Sequence, residues 1–540
     1  APPSTCRFTV DNGDGRWVPT NPTGAWYGQI DLNTPVRVKV SEGSASVRWT
    51  GFLSALPTSW SPAQADRYVQ VTGSGIMQRL ERGTVFRSPM VRTVSTTSTP
   101  PRAYWPAEDA SNATTLAEFF GGPPMTWTGN LTPALDGPDG SLPLPEFTTF
   151  VGVKGDVPSH PATGAWSLSV LFNIPAAPSG DTVILRWQTS GTLTMWQIVL
   201  SPGGVTDTLI IEAYDSAGTK QVNDSTTFTV GSLTEPYGIW LPMVMTAQQD
   251  GADVDYRCEL FYAPEGAGTA NSGTAAAFTT GVVSGISVPA TAKTNGMLFG
   301  HWAVWDINVN DGLLLWDLAA IEGYTGLNTV LGDLSAATRA SRLGLEEGLP
   351  VSLPALDEIA MGAQGTETFL ALLRECEAAG NGRLFERMDP AATDKWFRLS
   401  SHEWLTNQAV ALTLDHDSGH LSDPFQPTYD DQERINDVTA TRASTVGTGS
   451  SARVVATSGK LTPELVGVYP ASVNVNVAAD AQLPDQAGWR VNVGTAEGPR
   501  YPLVTIDLAH KPGLIPDWIG CDIGSRTQIT NPPQGLPPDD

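Results

Sequence analysis

Cysteine is scarce in this chain of 540 residues, and its four cysteines lie far apart, at Cys6, Cys258, Cys376 and Cys521. No two of them have the short, paired spacing that zinc ligands or a small disulfide scaffold would need. We therefore expect free thiols, most of them buried, and folding in a cytosol.

Positive charge is also scarce, because 31 Lys and Arg residues stand against 56 Asp and Glu residues, giving a formal net charge of −25. Sequence-independent binding of nucleic acid needs clustered cations that neutralise phosphates. The charge balance therefore predicts no binding of nucleic acid, whether specific or sequence-independent.

Long hydrophobic runs are absent, since no stretch approaches the roughly 20 apolar residues that a membrane-spanning helix requires. The chain opens with Ala-Pro-Pro and has no basic segment leading into an apolar one, so we expect neither a secretory leader nor a membrane anchor. The missing initiator Met indicates an interior or processed start. The Pro-rich residues 531–540 predict a linker toward a further domain.

Glycine and proline are abundant, with 54 and 42 residues, and they stand between short apolar runs rich in Thr and Ser. This composition is what many turns joining many short strands require. Hydrophobic residues make up 41% of the chain, and its length fits roughly three to four domains. We predict a mainly β, multidomain protein.

The first hundred residues alternate between apolar and polar side chains, which predicts strands with one buried face at residues 6–10, 35–40, 47–52 and 68–71. The run Asp-Asn-Gly-Asp-Gly at residues 11–15 tolerates positive φ and predicts a turn. Together these indicate a small barrel or sandwich. The polar, Pro-terminated residues 93–101 resemble a linker and predict a domain boundary near residue 100.

The middle of the chain carries regularly spaced strand patterns, which predict a two-sheet sandwich extending to about residue 308. The clearest are at residues 166–172, 183–187, 195–200 and 209–214.

Apolar residues then take helical spacing at residues 334–347 and 366–379, and Pro350 and Gly380 follow as terminators. Strands return after residue 383, including residues 473–477 and 503–508.

Several collinear segments carry a family resemblance. They are Cys-Arg-Phe-Thr-Val-Asp-Asn-Gly-Asp-Gly-Arg at residues 6–16 and the segments 19–22, 33–38, 336–350, 361–364, 429–439 and 494–502. In this order they resemble the hub-type minor tail proteins of phages that infect actinobacteria, over about residues 1–97 and 310–530.

This resemblance implies a ring-forming virion protein, commonly a homotrimer, at the tail tip or baseplate hub of a bacteriophage. It implies other tail proteins as partners, such as the distal tail and tape-measure proteins, and assembly in the host cytoplasm.

The middle segment resembles the concanavalin A-like, laminin-G-like sandwiches. Ala-Tyr-Trp-Pro-Ala-Glu-Asp at residues 103–109 is similar to their opening motif, and Gly-His-Trp-Ala-Val-Trp-Asp at 300–306 is similar to their closing strand. The resemblance implies a jelly-roll β-sandwich inserted into hub β-barrels. We therefore predict an N-terminal portion of the hub β-barrels at residues 1–97, the sandwich at 98–310, a helical hub segment at 311–382, a C-terminal hub β domain at 383–530 and the linker at 531–540.

The sandwich family often binds glycans, but a shared fold does not transfer the ligand. Because a sugar's apolar face stacks on aromatic rings, the candidate glycan contacts are chosen by residue type. They are Trp127, Trp187, Trp196 and Trp240, with Trp302 as a further ring. We expect most of these rings to lie in the core.

A glycoside hydrolase would need two carboxylates facing each other across a cleft, one of them with a raised pKa. The spacing of Glu108, Asp109, Glu212 and Asp215 selects no such pair, so exposed turn residues are the simpler interpretation. No nucleophile elbow, phosphate loop or His-Glu-x-x-His motif is present. We expect no catalytic residue and no cofactor.

Two imidazoles, His416 and His420, stand beside Asp415 and Asp417 and could in principle bind a divalent metal. Their spacing matches no strict ligand pattern, so a hairpin turn is the preferred interpretation and no metal site is predicted. His301 lies in an apolar strand, which favours a hydrogen-bonded core histidine over a catalytic base.

The leading hypothesis is a structural tail-tip hub that presents a lectin-like domain to host cell-wall glycan, where weak sites repeated around a ring give avidity. One alternative is a tail enzyme that degrades cell-wall polysaccharide. Another is a free secreted lectin.

Overall fold

The computed structural model describes residues 1–42, 44–60, 67–95, 99–138, 140–203, 206–229, 237–262, 267–308, 335–349, 351–353, 359–388, 395–443 and 449–536. The chain packs into two compact units. The first unit comprises Ala1–Val85, Leu334–Gly362 and Glu367–Asp540, and the second comprises Phe86–Asp333 and Ala363–Thr366. The first unit is thus assembled from both ends of the chain, and the predicted mainly β fold is confirmed.

The N-terminal region of the first unit is a five-stranded antiparallel sheet followed by a short helix, Ile76–Leu80. Its strands are β1 (Thr5–Asp11), β2 (Pro35–Glu42), β3 (Ser44–Ala55), β4 (Thr58–Trp60) and β5 (Arg67–Ser74). The order is β1-β5-β3-β2, with β4 paired to β5. Among the described pairings, none joins β1 to β2. The sheet is therefore not closed into the predicted barrel by backbone hydrogen bonds.

The second unit is built on thirteen antiparallel strands and also contains the helix Pro89–Ser95 and the 3-10 turn Ala292–Thr294. The strands are β6 (Ala103–Trp105), β7 (Thr126–Asp136), β8 (Leu144–Asp156), β9 (Ala165–Asn173), β10 (Thr182–Thr189), β11 (Leu193–Ser201), β12 (Thr206–Asp215), β13 (Lys220–Thr229), β14 (Trp240–Asp250), β15 (Asp253–Tyr262), β16 (Ala267–Ala275), β17 (Val283–Val288) and β18 (Leu298–Trp305). Their order is β13-β12-β11-β10-β17-β8-β18-β9-β14-β15-β16, with β7 on β8 and β6 on β18.

This sheet folds over on itself into a sandwich. Strands β8 and β18 share one registered pair, Leu298 with Glu146, so the sheet is almost divided at this point. Across the interior, the ring of Trp166 on β9 lies 5.7 Å from the rings of Trp187 and Trp196 on the other half. The predicted sandwich is therefore confirmed, and large buried aromatic rings pack between its two halves.

The first and last described strands of the second unit, β6 and β18, lie side by side. Trp302, Ala303 and Val304 of β18 pair with the three residues of β6. Beside them, the guanidinium of Arg102 lies 2.6 Å from the carboxylate of Asp306. A domain whose first and last strands are adjacent can be inserted into another domain without forcing apart the two chain segments of that domain.

The second unit begins earlier than the predicted linker suggests. Residues 93–95 were predicted to be part of the linker, but they belong to the helix Pro89–Ser95. Met90, Val91 and Val94 of this helix are buried in the core of the second unit, which moves the boundary to Val85 and Phe86. Residues 96–98 lie outside the described residues.

The remainder of the first unit mixes short strands and helices. The helices are Ala336–Glu346, Phe369–Ala379, His402–Asn407, Pro463–Val466, Leu483–Gly494 and Ile515–Gly520, with 3-10 turns Asp480–Gln482 and Pro512–Leu514. The strands are β19 (Val351–Ser352), β20 (Arg383–Met388), β21 (Lys395–Ser400), β22 (Leu412–Asp415), β23 (Asp437–Arg442), β24 (Ser451–Val455), β25 (Pro470–Val475) and β26 (Thr527–Thr530). They form three small sheets, β19-β21-β20, β22-β26 and β24-β23-β25.

Two predicted elements of this region need correction. The second helix starts at Phe369 rather than at residue 366, because the hydroxyl of Thr368 accepts a hydrogen bond from the amide of Ala371 and caps it. The predicted strand at residues 503–508 is wrong. Its apolar side chains, including Val504 and Ile506, pack on a small core without a neighbouring strand to pair with.

One carboxylate joins the sequence-distant segments of the first unit. Glu386 of β20 accepts hydrogen bonds from the amide and hydroxyl of Ser4 and from the amide of Met77. The indole of Trp49 donates to the same Ser4 hydroxyl at 3.0 Å. Segments more than 300 positions apart are therefore held by one side chain.

We expect Glu386→Ala to lower the free energy of unfolding of the first unit by roughly 2–4 kcal/mol, because several donors would lose a charged acceptor. Denaturant unfolding of the full chain measures this loss. The control is Glu81→Ala, which breaks the exposed ion pair with Arg374 and should cost less than about 1 kcal/mol. Equal losses in the two variants would contradict this role for Glu386.

Candidate functional site

The candidate tryptophans divide between the core and its edge. Trp187 and Trp196 are each 1% exposed and stack on one another, with centroids 6.2 Å apart, so their ring faces are not accessible to a sugar. Trp302 is also buried, in agreement with the expectation that most of these rings lie in the core. Trp127 and Trp240 are half-buried against the same core, and their glycan role stays a prediction.

His301 lies at the centre of a buried polar cluster in the second unit. Its side chain is 0% exposed, its Nδ1 lies 2.7 Å from the Tyr104 hydroxyl, and its Nε2 lies 2.9 Å from the Ser141 hydroxyl. Burial lowers the pKa of His301 to about 3, so the ring is neutral at neutral pH. The predicted hydrogen-bonded core histidine is confirmed.

Glu108 completes this cluster. One carboxylate oxygen accepts hydrogen bonds from the Ser141 hydroxyl at 2.9 Å and the Leu142 amide at 3.0 Å, and the Ser88 hydroxyl also donates to it. Burial raises the pKa of Glu108, and these hydrogen bonds oppose that rise. The cluster therefore links the helix, the opening strand and the closing strand of the second unit.

The contact of Ser141 with His301 has the spacing of a nucleophile and its base. A general base, however, works best when its pKa lies near the operating pH. An imidazole with a pKa of about 3 is far from that condition, and its two nitrogens already contact the hydroxyls of Tyr104 and Ser141. The arrangement is suited to closing the sandwich.

The other candidate carboxylates belong to separate hydrogen-bond networks. Asp109 accepts from the amide of Ala117, and burial raises its pKa. Asp215 caps a turn by accepting from the amides of Ala217 and Thr219, which lowers its pKa. No hydrogen bond among the described residues joins two of these carboxylates into a pair.

Glu212 lies on an outer face of the sandwich and is almost buried by its partners. The Gln197 amide donates to it at 2.6 Å and the Tyr214 hydroxyl at 2.7 Å, and Lys220 forms an ion pair with it. Burial raises the pKa of Glu212, but the hydrogen bonds from Lys220, Tyr214 and Gln197 outweigh it and leave that pKa lowered. The carboxylate is therefore charged at neutral pH.

Sequence reasoning missed two partners in this network. These partners are Arg186 and Gln197. Arg186 donates through Nε and Nη2 to the side-chain oxygen Oε1 of Gln197, at 3.0 and 2.7 Å. Each of these residues is the sequence neighbour of a buried tryptophan, Trp187 or Trp196, so strand alternation places them on the outer face. That alternation is the signal that could have found them.

The His416 and His420 segment of the first unit forms a turn. The amide of Asp415 donates to Nδ1 of His420 at 3.1 Å, and the Asp415 carboxylate accepts from the amide of Ser418. The turn follows β22, which pairs in parallel with β26, so it is not the predicted hairpin. Across the described residues, no three His, Cys, Asp or Glu side chains gather as a metal site would require.

The first unit also contains a broad groove of about 1360 Å³. Tyr429 is 68% exposed at its wall, and Trp489 and five arginines, among them Arg383 and Arg434, line it as well. Tyr, Trp and Arg are the residues most enriched at the energetic centres of protein interfaces.

None of the described helices combines the length and hydropathy needed to cross a bilayer.

We expect the second unit to lose stability as the pH falls from about 6.5 toward 3, because the unfolded chain binds a proton that buried His301 does not. One proton gives a slope of at most about 1.4 kcal/mol per pH unit. His301→Gln keeps one donor and one acceptor but cannot titrate, so it should remove this contribution to the slope. Urea unfolding followed by tryptophan fluorescence measures it.

The matched reference is the unchanged chain, whose slope contains the contribution of His301. Glu108 acts in the opposite direction, since stability linked to a raised carboxyl pKa is lost as the pH rises. The comparison between the two chains therefore isolates His301. Identical slopes for His301→Gln and the unchanged chain would show that the imidazole is not the titrating group.

No protein-family model matches the sequence, and no curated protein matches it significantly. Among solved structures, the chain is similar to a receptor-binding domain of botulinum neurotoxin mosaic serotype C/D, at 12% identity and a TM-score of 0.31, covering 44% of this chain and 54% of that one. It is also similar to the CBM2 module of the evolved Dit of Lactobacillus casei BL23 phage J-1, at 13% identity and a TM-score of 0.27, covering 38% of this chain and 95% of that one. A third likeness is to a tailspike protein of the Escherichia coli O157:H7 bacteriophage CAB120, at 8% identity and a TM-score of 0.23, covering 30% and 22%. Likeness at this level assigns no ligand or activity to the chain.

Proposed function

We propose that this chain is a structural minor tail protein that forms the hub of a bacteriophage tail tip and presents its second unit for attachment to host cell-wall glycan. One observation supports this most. The segments that resemble tail hubs, about residues 1–97 and 310–530, overlap the two chain ends that pack into the first unit. The segment without that resemblance packs as a separate unit whose first and last described strands pair.

Self-association follows from the same proposal, with a homotrimeric ring as the expected state and distal tail and tape-measure proteins as neighbours. The groove of the first unit, with Tyr429, Trp489 and its arginines, has the composition of an interface. Repetition around a ring would convert weak single-site attachment into useful avidity. The net charge of −25 favours solubility of the subunit before assembly.

Electron cryo-microscopy of intact particles tests the proposal. We expect a closed ring of this chain at the distal end of the tail tube, with the second unit projecting from it. The matched control deletes residues 103–305, whose ends lie side by side, and bridges the gap with a short Gly-Ser linker. That variant should keep the ring and lose the projection, whereas a chain absent from particles would overturn the hub assignment.

We also propose that the second unit binds glycan without cleaving it. The reason is that Glu108 is buried with a raised pKa, while Glu212 is charged in a different network. Incubation of the purified chain with peptidoglycan or arabinogalactan should therefore release no soluble sugar above a heat-inactivated sample. Product release would replace this proposal with the polysaccharide-degrading enzyme, and secretion of the chain apart from particles would favour a free lectin.

A further inference from the structure

Strand register places a row of polar side chains across one outer face of the second unit. Residues that pair directly in an antiparallel sheet project on the same side, so the row can be followed from strand to strand. Its members, from β7 to β13, are Thr126, Lys154, Ser287, Arg186, Gln197, Glu212 and Asn223. Seven strands at about 4.8 Å spacing give this polar row a length of roughly 29 Å.

The centre of the polar row is held rigid by its own hydrogen bonds. Gln197 is 6% exposed and Glu212 7%, and the chain of contacts runs from Arg186 through both of them to Lys220. Lys220 also donates to the Asn223 amide oxygen at 3.2 Å. Side chains already fixed in position lose little further entropy when a ligand binds.

The polar row also retains hydrogen-bonding capacity. A guanidinium has five N–H donors, of which Arg186 directs two to Gln197. An ammonium has three, of which Lys220 uses two on Glu212 and Asn223. Half-buried Tyr214 and Met195 lie beside the row on the same face, since they pair with one another two residues from Glu212 and Gln197.

The opposite outer face of the sandwich differs. Its central residues Ser167, Ser169 and Thr246 are almost completely buried, and the Ser167 hydroxyl donates to the carbonyl of Ile307 at 2.7 Å. Arg257 and Glu259 form an ion pair on this face. Its centre is therefore less accessible than that of the polar row, whose outer members Thr126, Lys154 and Asn223 are exposed.

We propose, resting on the adhesive function proposed above, that the polar row binds an uncharged, hydroxyl-rich polysaccharide laid across the strands. Sugar hydroxyls both donate and accept, which fits a row in which donors at Arg186 and Lys220 flank the acceptor Glu212. Glu212 and Asp156 balance the charges of Lys220 and Lys154, so the row lacks the cluster of unbalanced cations that a polyanion needs. The buried Trp187 and Trp196 support this face from beneath and do not touch the ligand.

Equilibrium binding of the full chain to soluble arabinogalactan, an uncharged polysaccharide, tests the proposal. We expect Glu212→Gln to weaken binding at least about tenfold, since it removes a charged acceptor while keeping the side-chain shape. The matched control is Glu259→Gln, which breaks a comparable ion pair on the opposite face and should leave affinity unchanged. Asn223→Ala, at an exposed end of the row, should weaken binding a few-fold without affecting folding, which thermal unfolding of each variant checks.

Affinity unchanged in both row variants, or reduced equally by Glu259→Gln, would overturn the site. Binding to a polyphosphate wall teichoic acid but not to arabinogalactan would overturn the ligand class, as would no binding to either. These outcomes do not affect the hub assignment, which depends on the position of the chain in particles. Conversely, a chain absent from particles would remove the hub assignment and leave the measured affinity of the polar row standing.

Discussion

The antiparallel pairing of β6 with β18 is the contact that closes the second unit. It joins Ala103–Trp105, at the start of the sandwich, to Trp302, Ala303 and Val304 in its last described strand. Without it, the two segments of the first unit would be joined by a long loop, whose closure costs entropy that grows with its length.

The buried cluster around His301 contributes to the same closure. Tyr104 belongs to β6 and His301 to β18, and their hydrogen bond lies inside the sandwich, where an unpaired polar group would be costly. The Ser141 hydroxyl, which donates to Glu108, satisfies the remaining nitrogen. A neutral imidazole suits this position because it donates on one side and accepts on the other.

The distribution of aromatic and polar residues decides which surface of the second unit can meet a ligand. The large rings that a sugar would favour, such as Trp187 and Trp196, fill the space between the sheets. Their strand neighbours Arg186 and Gln197 are consequently turned outward and are joined to Glu212. The recognition proposed for this face would therefore rely on oriented hydrogen bonds more than on stacking.

Local alternation of apolar and polar residues was enough to predict the strands of the first and middle segments, the sandwich and the core position of His301. It failed at residues 503–508, where the alternation is real but no neighbouring strand is available. It also missed the boundary at Val85 and Phe86, since only packing shows where Met90 and Val94 are buried. The networks of Glu386 and Glu212 depended on tertiary structure alone. Each joins side chains from different strands or from distant segments, and register and chain crossing, which no local pattern encodes, bring them within hydrogen-bonding distance.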